Sequence, residues 1–262
     1  MFIEERHQAI LDYLDKNSRI SATEIQHMFQ VSFDTARRDL RILEENGLLK
    51  RTHGGAIPLR QIGFSKPAKM TAKDISEVKE NYYAMALKAV SMIKNLDVIF
   101  ITSATVGYFM AQNLPRDIFI TVVTNSIIIA EEIRKMDNIH IIITGGEMDN
   151  KGNCYDSFSI ETIKRMRFDK CFITSASISA EFGLSIQRTS GVGFMNAVID
   201  NSKCAIGLYP TEKLGFDSII SICSANRLNT LITDWEASEE ELKKFDKLGI
   251  DIIIVDNPNE SD

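Results

Sequence analysis

The sequence contains no apolar run that approaches the roughly 18 residues of a membrane-spanning helix. Its amino end also lacks a basic segment followed by an apolar stretch, which argues against a secretory signal. Hydrophobic residues nevertheless make up 44% of the 262 residues, which is enough for a substantial core. We therefore expect a cytoplasmic protein of one or two domains that does not contact a membrane.

Cysteine and histidine are both sparse. The four cysteines, Cys154, Cys171, Cys204 and Cys223, include no CxxC pair, so neither zinc-ligand nor thioredoxin spacing is present. Among the four histidines only His140 falls in the larger, carboxyl-terminal part of the chain, where it begins a predicted strand. These patterns predict reduced thiols and no metal, cofactor or catalytic site.

An overall excess of basic charge is missing as well, because the net charge is −6. The first 60 residues contain nine basic and nine acidic side chains, so the acidic excess belongs to residues 61–262. A nucleic-acid footprint is a local patch that a whole-chain sum can hide. The amino-terminal part therefore remains a candidate for binding DNA.

Two amphipathic helices are predicted at the start of the chain. Residues 3–16 place apolar side chains at helical spacing on one face; these are Ile3, Ile10, Leu11 and Leu14. Ser21 and Glu24 have the spacing of a capping box, which predicts a short second helix. Gln30-Val31-Ser32 then forms a tight turn, with Ser32 as the amino-terminal cap of a third helix.

The third predicted helix, residues 33–45, has one apolar face and one basic face. At about 100° per residue, the predicted buried stripe comprises Phe33, Ala36, Leu40 and Leu43. The side chains that point away are Asp34, Thr35, Arg38 and Arg41, with Arg37 on the flank. A short helix, a turn and an arginine-bearing helix place a recognition helix in the major groove. Arginine on its own would also fit an ordinary surface helix.

A small β wing is predicted after Gly47, which suits the residue that follows a helix. An apolar pair, a basic pair and a Gly-Gly turn follow within residues 48–56. Lys50, Arg51, His53 and Gly54 are thereby expected near the DNA backbone.

The segment SATEIQHMFQVSFDTARRDLRILEENGLLKRTHGGA closely resembles the helix-turn-helix signature of the DeoR family of bacterial regulators. The shared features are the capping box, the turn, the Thr-x-Arg-Arg-Asp-Leu core, the Leu-Glu-x-x-Gly exit and the His-Gly-Gly-Ala wing. The resemblance implies sequence-specific binding to a double-stranded operator. The candidate DNA-binding residues are Ser32, Phe33, Asp34, Thr35, Arg37, Arg38, Arg41, Lys50, Arg51, His53 and Gly54. Paired half-sites further imply a homo-oligomer, a dimer or a tetramer.

The rest of the chain predicts a linker and an α/β domain. Residues 58–76 are rich in turn-forming residues and separate a winged helix-turn-helix domain, 1–57, from a larger domain, 77–257. In the larger domain, strands are predicted at 97–102, 118–123, 140–144, 170–176, 203–208, 231–233 and 251–255, with helices between them. Apolar strands alternating with helices favour a Rossmann-like, mostly parallel sheet that is covered on both faces.

Small polar residues follow three of these strands. Parallel α/β sheets bind ligands beyond the carboxyl ends of their strands, and helix amino ends attract anions. The candidate effector-binding residues are Ser103, Thr105, Asn125, Ser126, Gly145, Gly146 and Glu147, with Lys213 as counter-charge. Each group equally fits an ordinary cap or turn.

The DeoR resemblance continues through this domain. It implies a fold similar to sugar-phosphate isomerases and a phosphorylated-sugar effector that releases a repressor of carbohydrate-metabolism genes. This chain departs from the family where Asp-x-Gly-Thr-Thr is usual, since it has Thr102-Ser103-Ala104-Thr105-Val106. Met195 and Pro210 replace a usual Lys and Asp, whereas Lys213 remains. Two alternatives stay open: a regulator that has lost small-molecule sensing, and a phosphosugar isomerase or deaminase.

Overall fold

The computed structural model of the chain describes residues 3–17, 19–59 and 80–258. These residues form two compact units, a smaller one made mostly of the amino-terminal part and a larger one that contains most of the remaining chain. Apart from Pro58 and Leu59, the predicted linker of residues 58–76 lies outside the described residues, as do residues 77–79 of the predicted larger domain.

The smaller unit has the predicted winged helix-turn-helix architecture. Its elements are α1 (Ile3–Asn17), β1 (Ile20–Ser21), α2 (Ala22–Phe29), α3 (Phe33–Glu45), β2 (Leu49–Arg51) and β3 (Gly55–Pro58). The strands form an antiparallel sheet in the order β1-β3-β2. Pro58 therefore belongs to the wing, where it pairs with Leu49, and not to the linker.

The predicted ends of the helices are confirmed by their hydrogen bonds. Ser21 and Glu24 form a reciprocal capping box at the start of α2. At the start of α3, the hydroxyl of Ser32 accepts the backbone N–H of Thr35 at 3.1 Å. Gly47 adopts a φ of +67° after α3, which a residue with a Cβ rarely does. These local signals set where the second and third helices begin and end.

The larger unit contains seven parallel strands in one sheet. Its elements are α4 (Glu80–Ser91), β4 (Val98–Ile101), α5 (Thr105–Gln112), β5 (Ile120–Thr124), α6 (Ile127–Ile133), β6 (Ile139–Ile143), α7 (Ser157–Lys164), β7 (Phe168–Ile173), β8 (Ser177–Ser179), β9 (Gly183–Ile186), α8 (Ser190–Asp200), β10 (Ser202–Leu208), β11 (Ile220–Cys223), β12 (Thr230–Thr233), α9 (Glu239–Asp246) and β13 (Asp251–Ile254). The sheet order is β13-β12-β10-β7-β4-β5-β6. The predicted mostly parallel α/β sheet is confirmed.

Helices cover both faces of this sheet. Ile99 and Ile101 face a core that they share with α4, α5 and α6. Phe100 points to the other face, where its ring lies 5.8 Å from that of Phe194 in α8. Alternate residues of β4 are thus buried on opposite faces, which explains why its sequence is continuously apolar.

A second, antiparallel sheet of β8, β9 and β11 was not predicted. Its strands are only three or four residues long, too short for an alternating pattern to distinguish them from a loop.

The buried face of α3 differs from the prediction at its first residue. Ala36, Leu40 and Leu43 are buried as expected, but Phe33 is 44% exposed. Phe33 is the first residue of the helix, and its side chain lines a cleft beside the wing. Ile3 is also exposed, although the helical pattern predicted that it would be buried.

A buried carboxylate on α3, which the apolar pattern did not reveal, joins this helix to α1. Asp39 is 1% exposed and accepts two hydrogen bonds from Arg6, at 2.6 and 3.1 Å. The Nε2 atom of His7 lies 3.0 Å from the same carboxylate. Burial raises the pKa of Asp39, but the hydrogen bonds from Arg6 and His7 outweigh it, so the pKa falls below its ordinary value. The charged form of Asp39 therefore fixes how α3 is rotated against α1.

We expect Asp39→Ala to destabilise the smaller unit by about 3–5 kcal/mol, because it leaves Arg6 largely buried without its partner. Urea unfolding of the full chain, followed by circular dichroism, measures this loss. Glu45→Ala is the matched control, since it removes only an exposed partner of Arg41 and should cost less than about 1 kcal/mol.

The Asp39 contribution should also depend on pH. Because the folded pKa is lowered, the stabilisation is complete above the ordinary value of 3.8 and is lost as the pH falls through the folded pKa. The difference between wild type and Asp39→Ala should therefore shrink in acid. A difference that stays constant from pH 7 to pH 2 contradicts this assignment.

Candidate nucleic-acid interface and effector site

The outward face of α3 carries exposed arginines. Arg37, Arg38 and Arg41 are all exposed, as is Asp34. Arg41 lies 3.9 Å from Glu45, whereas Arg38 has no hydrogen-bond or ion-pair partner among the described residues. The adjacent buried carboxylate of Asp39 ties this helix to α1, so the orientation of the helix leaves the Arg38 guanidinium exposed.

The amino-terminal end of α3 combines two hydroxyl groups. The Oγ atom of Ser32 lies 2.8 Å from the Oγ1 atom of Thr35, in addition to capping the helix. Helix amino ends with exposed hydroxyl and N–H groups suit contacts to phosphate oxygens. The structure therefore brings the predicted Ser32 and Thr35 together at the end of the helix.

The wing residues that the sequence predicts to contact DNA lie beside α3. The backbone N–H of Arg51 donates to the Glu44 carboxylate at 2.8 Å, and its side chain lies 3.8 Å from the same group. His53 and Gly54 are exposed at the tip, and Lys50 is half-buried. A cleft of about 270 Å³ separates the wing from α3; its lining includes Phe33, Arg37, Arg51, His53 and Gly54.

The candidate effector residues gather at one edge of the parallel sheet. Strands β4, β5 and β6 are neighbours, so the groups that follow them lie side by side: Ser103 and Thr105, Asn125 and Ser126, and Gly145 to Glu147. Lys213 follows β10, which β7 separates from β4. Its Nζ atom lies 3.2 Å from the Oγ1 atom of Thr174, beyond the end of β7.

Tyr155 joins two of these groups, although nothing in its sequence context indicated this. Its hydroxyl lies 2.5 Å from the Oγ atom of Ser103, and its ring packs edge-on against Phe194. Burial raises the pKa of Tyr155, and hydrogen bonds with Ser103 and Asn125 oppose that rise only in part. Tyr155 therefore remains a neutral phenol that can donate or accept a hydrogen bond beside the end of β4.

The Gly145-Gly146 turn packs against the start of α7. Gly145 and Gly146 have φ angles of +69° and +107°, and Ser159 donates a hydrogen bond to the carbonyl of Gly145 at 2.6 Å. Asp156 caps α7 and accepts the backbone N–H of Glu147 at 2.9 Å. The backbone hydrogen bonds from Glu147 and Ser159 lower the pKa of Asp156. Within the fold, this turn thus binds a carboxylate of the chain itself.

The first turn of α5 has no side-chain cap, because Ala104 stands at the capping position. The helix approaches β4 closely: a Cβ on Gly107 would lie 2.1 Å from the carbonyl oxygen of Thr102. The uncapped N–H groups of this turn are therefore held beside Ser103, where they could meet an anion.

The positions that depart from the family pattern are buried or bonded. Met195 is 4% exposed, and Pro210 is buried after β10.

Beyond β12, Asp234 is fully buried and accepts hydrogen bonds from Asn81 and Thr211. This carboxylate holds the start of the loop that carries Lys213.

His140 does not lie with the candidate effector residues at the carboxyl ends of the strands. His140 lies near the amino end of β6, in a groove with Leu96 and Phe119, at the opposite edge of the sheet. Over residues 3–17, 19–59 and 80–258, no group of three or more His, Cys, Asp and Glu side chains could hold a metal ion. Within the same ranges, no helix is long and apolar enough to cross a membrane.

We expect Gly146→Ala to destabilise the larger unit more than Gly249→Ala. Both glycines have positive φ, but an added Cβ on Gly146 would lie 2.3 Å from the Asp156 carboxylate, whereas Gly249 has open space. The positive φ costs each alanine at least about 1–2 kcal/mol, and overpacking adds about 1–3 kcal/mol at Gly146 alone. Equal free energies of unfolding for the two variants would show that the turn does not pack on α7.

Two family models match the chain: a DeoR-like helix-turn-helix domain over residues 6–61 and a DeoR C terminal sensor domain over residues 78–235. The HTH-type transcriptional repressor GlcR of Bacillus subtilis (strain 168) is 31% identical over 100% of both chains. The glycerol-3-phosphate regulon repressor of Escherichia coli (strain K12) is 26% identical over 88% of this chain and 90% of its own. Among solved structures, ribose 5 phosphate isomerase A from Neisseria gonorrhoeae matches with a TM-score of 0.38 and 12% identity, over 53% of this chain and 52% of the isomerase. The chain belongs to the DeoR family of HTH-type transcriptional regulators.

Proposed function

We propose that this regulator is a cytoplasmic repressor of carbohydrate-metabolism genes whose α3 and wing bind a double-stranded operator. A phosphorylated sugar bound beyond the ends of β4, β5 and β6 would weaken that binding. A homo-oligomer follows from the symmetry of paired half-sites. We propose no catalytic role, because the end of β4 carries Thr102 where a carboxylate is usual in the family.

The observation that carries the DNA-binding part is the contrast between two neighbouring residues of α3. Asp39 is buried and bonded to Arg6, whereas the adjacent Arg38 is exposed and has no partner among the described residues. Asp39 thus fixes the orientation of the helix, and Arg38 offers a guanidinium whose paired N–H donors suit guanine or phosphate.

We expect Arg38→Ala to weaken specific operator binding by about 1–3 kcal/mol, the value of one bidentate base contact. Fluorescence anisotropy with a duplex selected from a random library measures this at one fixed salt concentration. Arg134→Ala is the control, because this exposed arginine of the larger unit pairs with the nearby Glu131. Unchanged operator affinity of Arg38→Ala would show that Arg38 does not contact a base.

The effector proposal is supported by the chemistry at the strand ends. Ser103 and the uncapped first turn of α5 offer hydroxyl and N–H donors, and Lys213 lies near the end of β7. Such donors suit a phosphate or a sugar hydroxyl. The similarity to a repressor named for the glycerol-3-phosphate regulon also supports a phosphorylated ligand.

A specific observation favours the alternative of a regulator without a small-molecule ligand. Several polar groups at this edge already bond within the chain: Asn125 donates to the carbonyl of Cys154, and Glu147 donates to Asp156. Tyr155 likewise contacts Ser103. A ligand would therefore have to displace internal hydrogen bonds or use the donors that remain.

A thermal-shift screen with phosphorylated sugars and their unphosphorylated parents separates these alternatives. A ligand at 100 times its dissociation constant should stabilise the folded chain by about 2.7 kcal/mol. We expect one phosphorylated compound to raise the melting temperature, and Lys213→Ala to reduce that shift. If no compound shifts the melting temperature while operator binding is intact, the alternative without a small-molecule effector replaces our proposal.

A further inference from the structure

The first residue of α3 carries an aromatic side chain that the smaller unit leaves exposed. Phe33 is 44% exposed, whereas Ala36, Leu40 and Leu43 on the same helix are at most 2% exposed. The Ser32 cap fixes Phe33 as the first helical residue. Burial of a phenylalanine is strongly favourable, so this ring would gain from an apolar contact with a bound partner.

Arg37 lies one helical turn further along α3 and packs against the same ring. Its guanidinium carbon is 6.0 Å from the centre of the Phe33 ring, at the outer limit of a cation–π contact. Arg37 has no carboxylate partner among the described residues. Both side chains line the cleft between α3 and the wing. The aromatic ring thus helps to orient an exposed guanidinium at the cleft.

The charge around this pair favours DNA as the occupant. Arg38 and Arg41 are exposed on the same helix, and Lys50 and Arg51 lie on the wing. The amino-terminal residues of a recognition helix contact base edges in the major groove. In that groove, the C5 methyl of thymine offers an apolar contact, and guanine offers the two acceptors that arginine reads.

We infer that Phe33 and Arg37 together read a thymine adjacent to a guanine in each operator half-site. Phe33 contacts the thymine methyl, and Arg37 donates hydrogen bonds to O6 and N7 of the guanine. This inference rests on the proposed DNA-binding function, and it names bases that the function alone does not specify.

Base analogues test the inference without altering the protein. The full chain first selects its preferred duplex from a random library, and each thymine is then replaced in turn by deoxyuridine, which lacks only the methyl. We expect one position per half-site to weaken binding about fourfold, the value of one buried methyl group. At the adjacent guanine, 7-deazaguanine should weaken binding about tenfold.

Variants then assign each penalty to a side chain. In Phe33→Ala, the deoxyuridine penalty should fall from about fourfold to none; Phe33→Gln serves if Phe33→Ala binds too weakly. In Arg37→Gln, the 7-deazaguanine penalty should disappear. Phe182→Ala, which removes an exposed phenylalanine from the larger unit, should leave both penalties unchanged.

The outcomes separate this inference from the proposed function. If the wild-type chain selects no sequence, DNA binding itself fails. If it selects an operator but no deoxyuridine substitution weakens binding, or if the penalty persists in both Phe33 variants, the thymine contact is overturned while the regulator assignment stands. A 7-deazaguanine penalty that persists in Arg37→Gln overturns the guanine contact in the same way.

Discussion

The parallel direction of all seven strands is the constraint on which the larger unit depends. Because every strand ends at the same edge, the loops after β4, β5 and β6 lie side by side although they are separated along the chain. Two helical layers are needed to cover such a sheet, and the apolar strands supply both faces. A ligand site that combines several loops can form at this edge without any long-range sequence motif.

The smaller unit depends instead on one buried ion pair. Asp39 would be costly to bury alone, but two hydrogen bonds from Arg6 and a contact with His7 compensate for its desolvation. The pair ties α3 to α1 and so determines which side of α3 faces outward. The exposed Arg37 and Arg38 depend on that orientation for any contact with DNA.

The polar groups at the strand ends form hydrogen bonds within the fold, in addition to being candidates for binding a ligand. Asp156 holds the glycine turn, Asp234 holds the loop that carries Lys213, and Tyr155 bonds Ser103. Such internal bonds can preorganise a site, because residues held by neighbours do not have to be ordered when a ligand binds. A ligand that binds at this edge therefore has to exchange bonds with groups that already have partners, as Lys213 does with Thr174.

The sequence by itself determined the features that depend on neighbouring residues. Capping at Ser21 and Ser32, the turn at Gly47, the helical spacing of α3 and the alternation of strands and helices are all encoded within a few residues. Tertiary structure decided the burial of Asp39, the exposure of Phe33 and the contact between Tyr155 and Ser103. Each of these depends on partners that are distant along the chain or on the end of a packed face. Local periodicity predicts which side of a helix is apolar, but only the packed neighbours decide which residues on that side are covered.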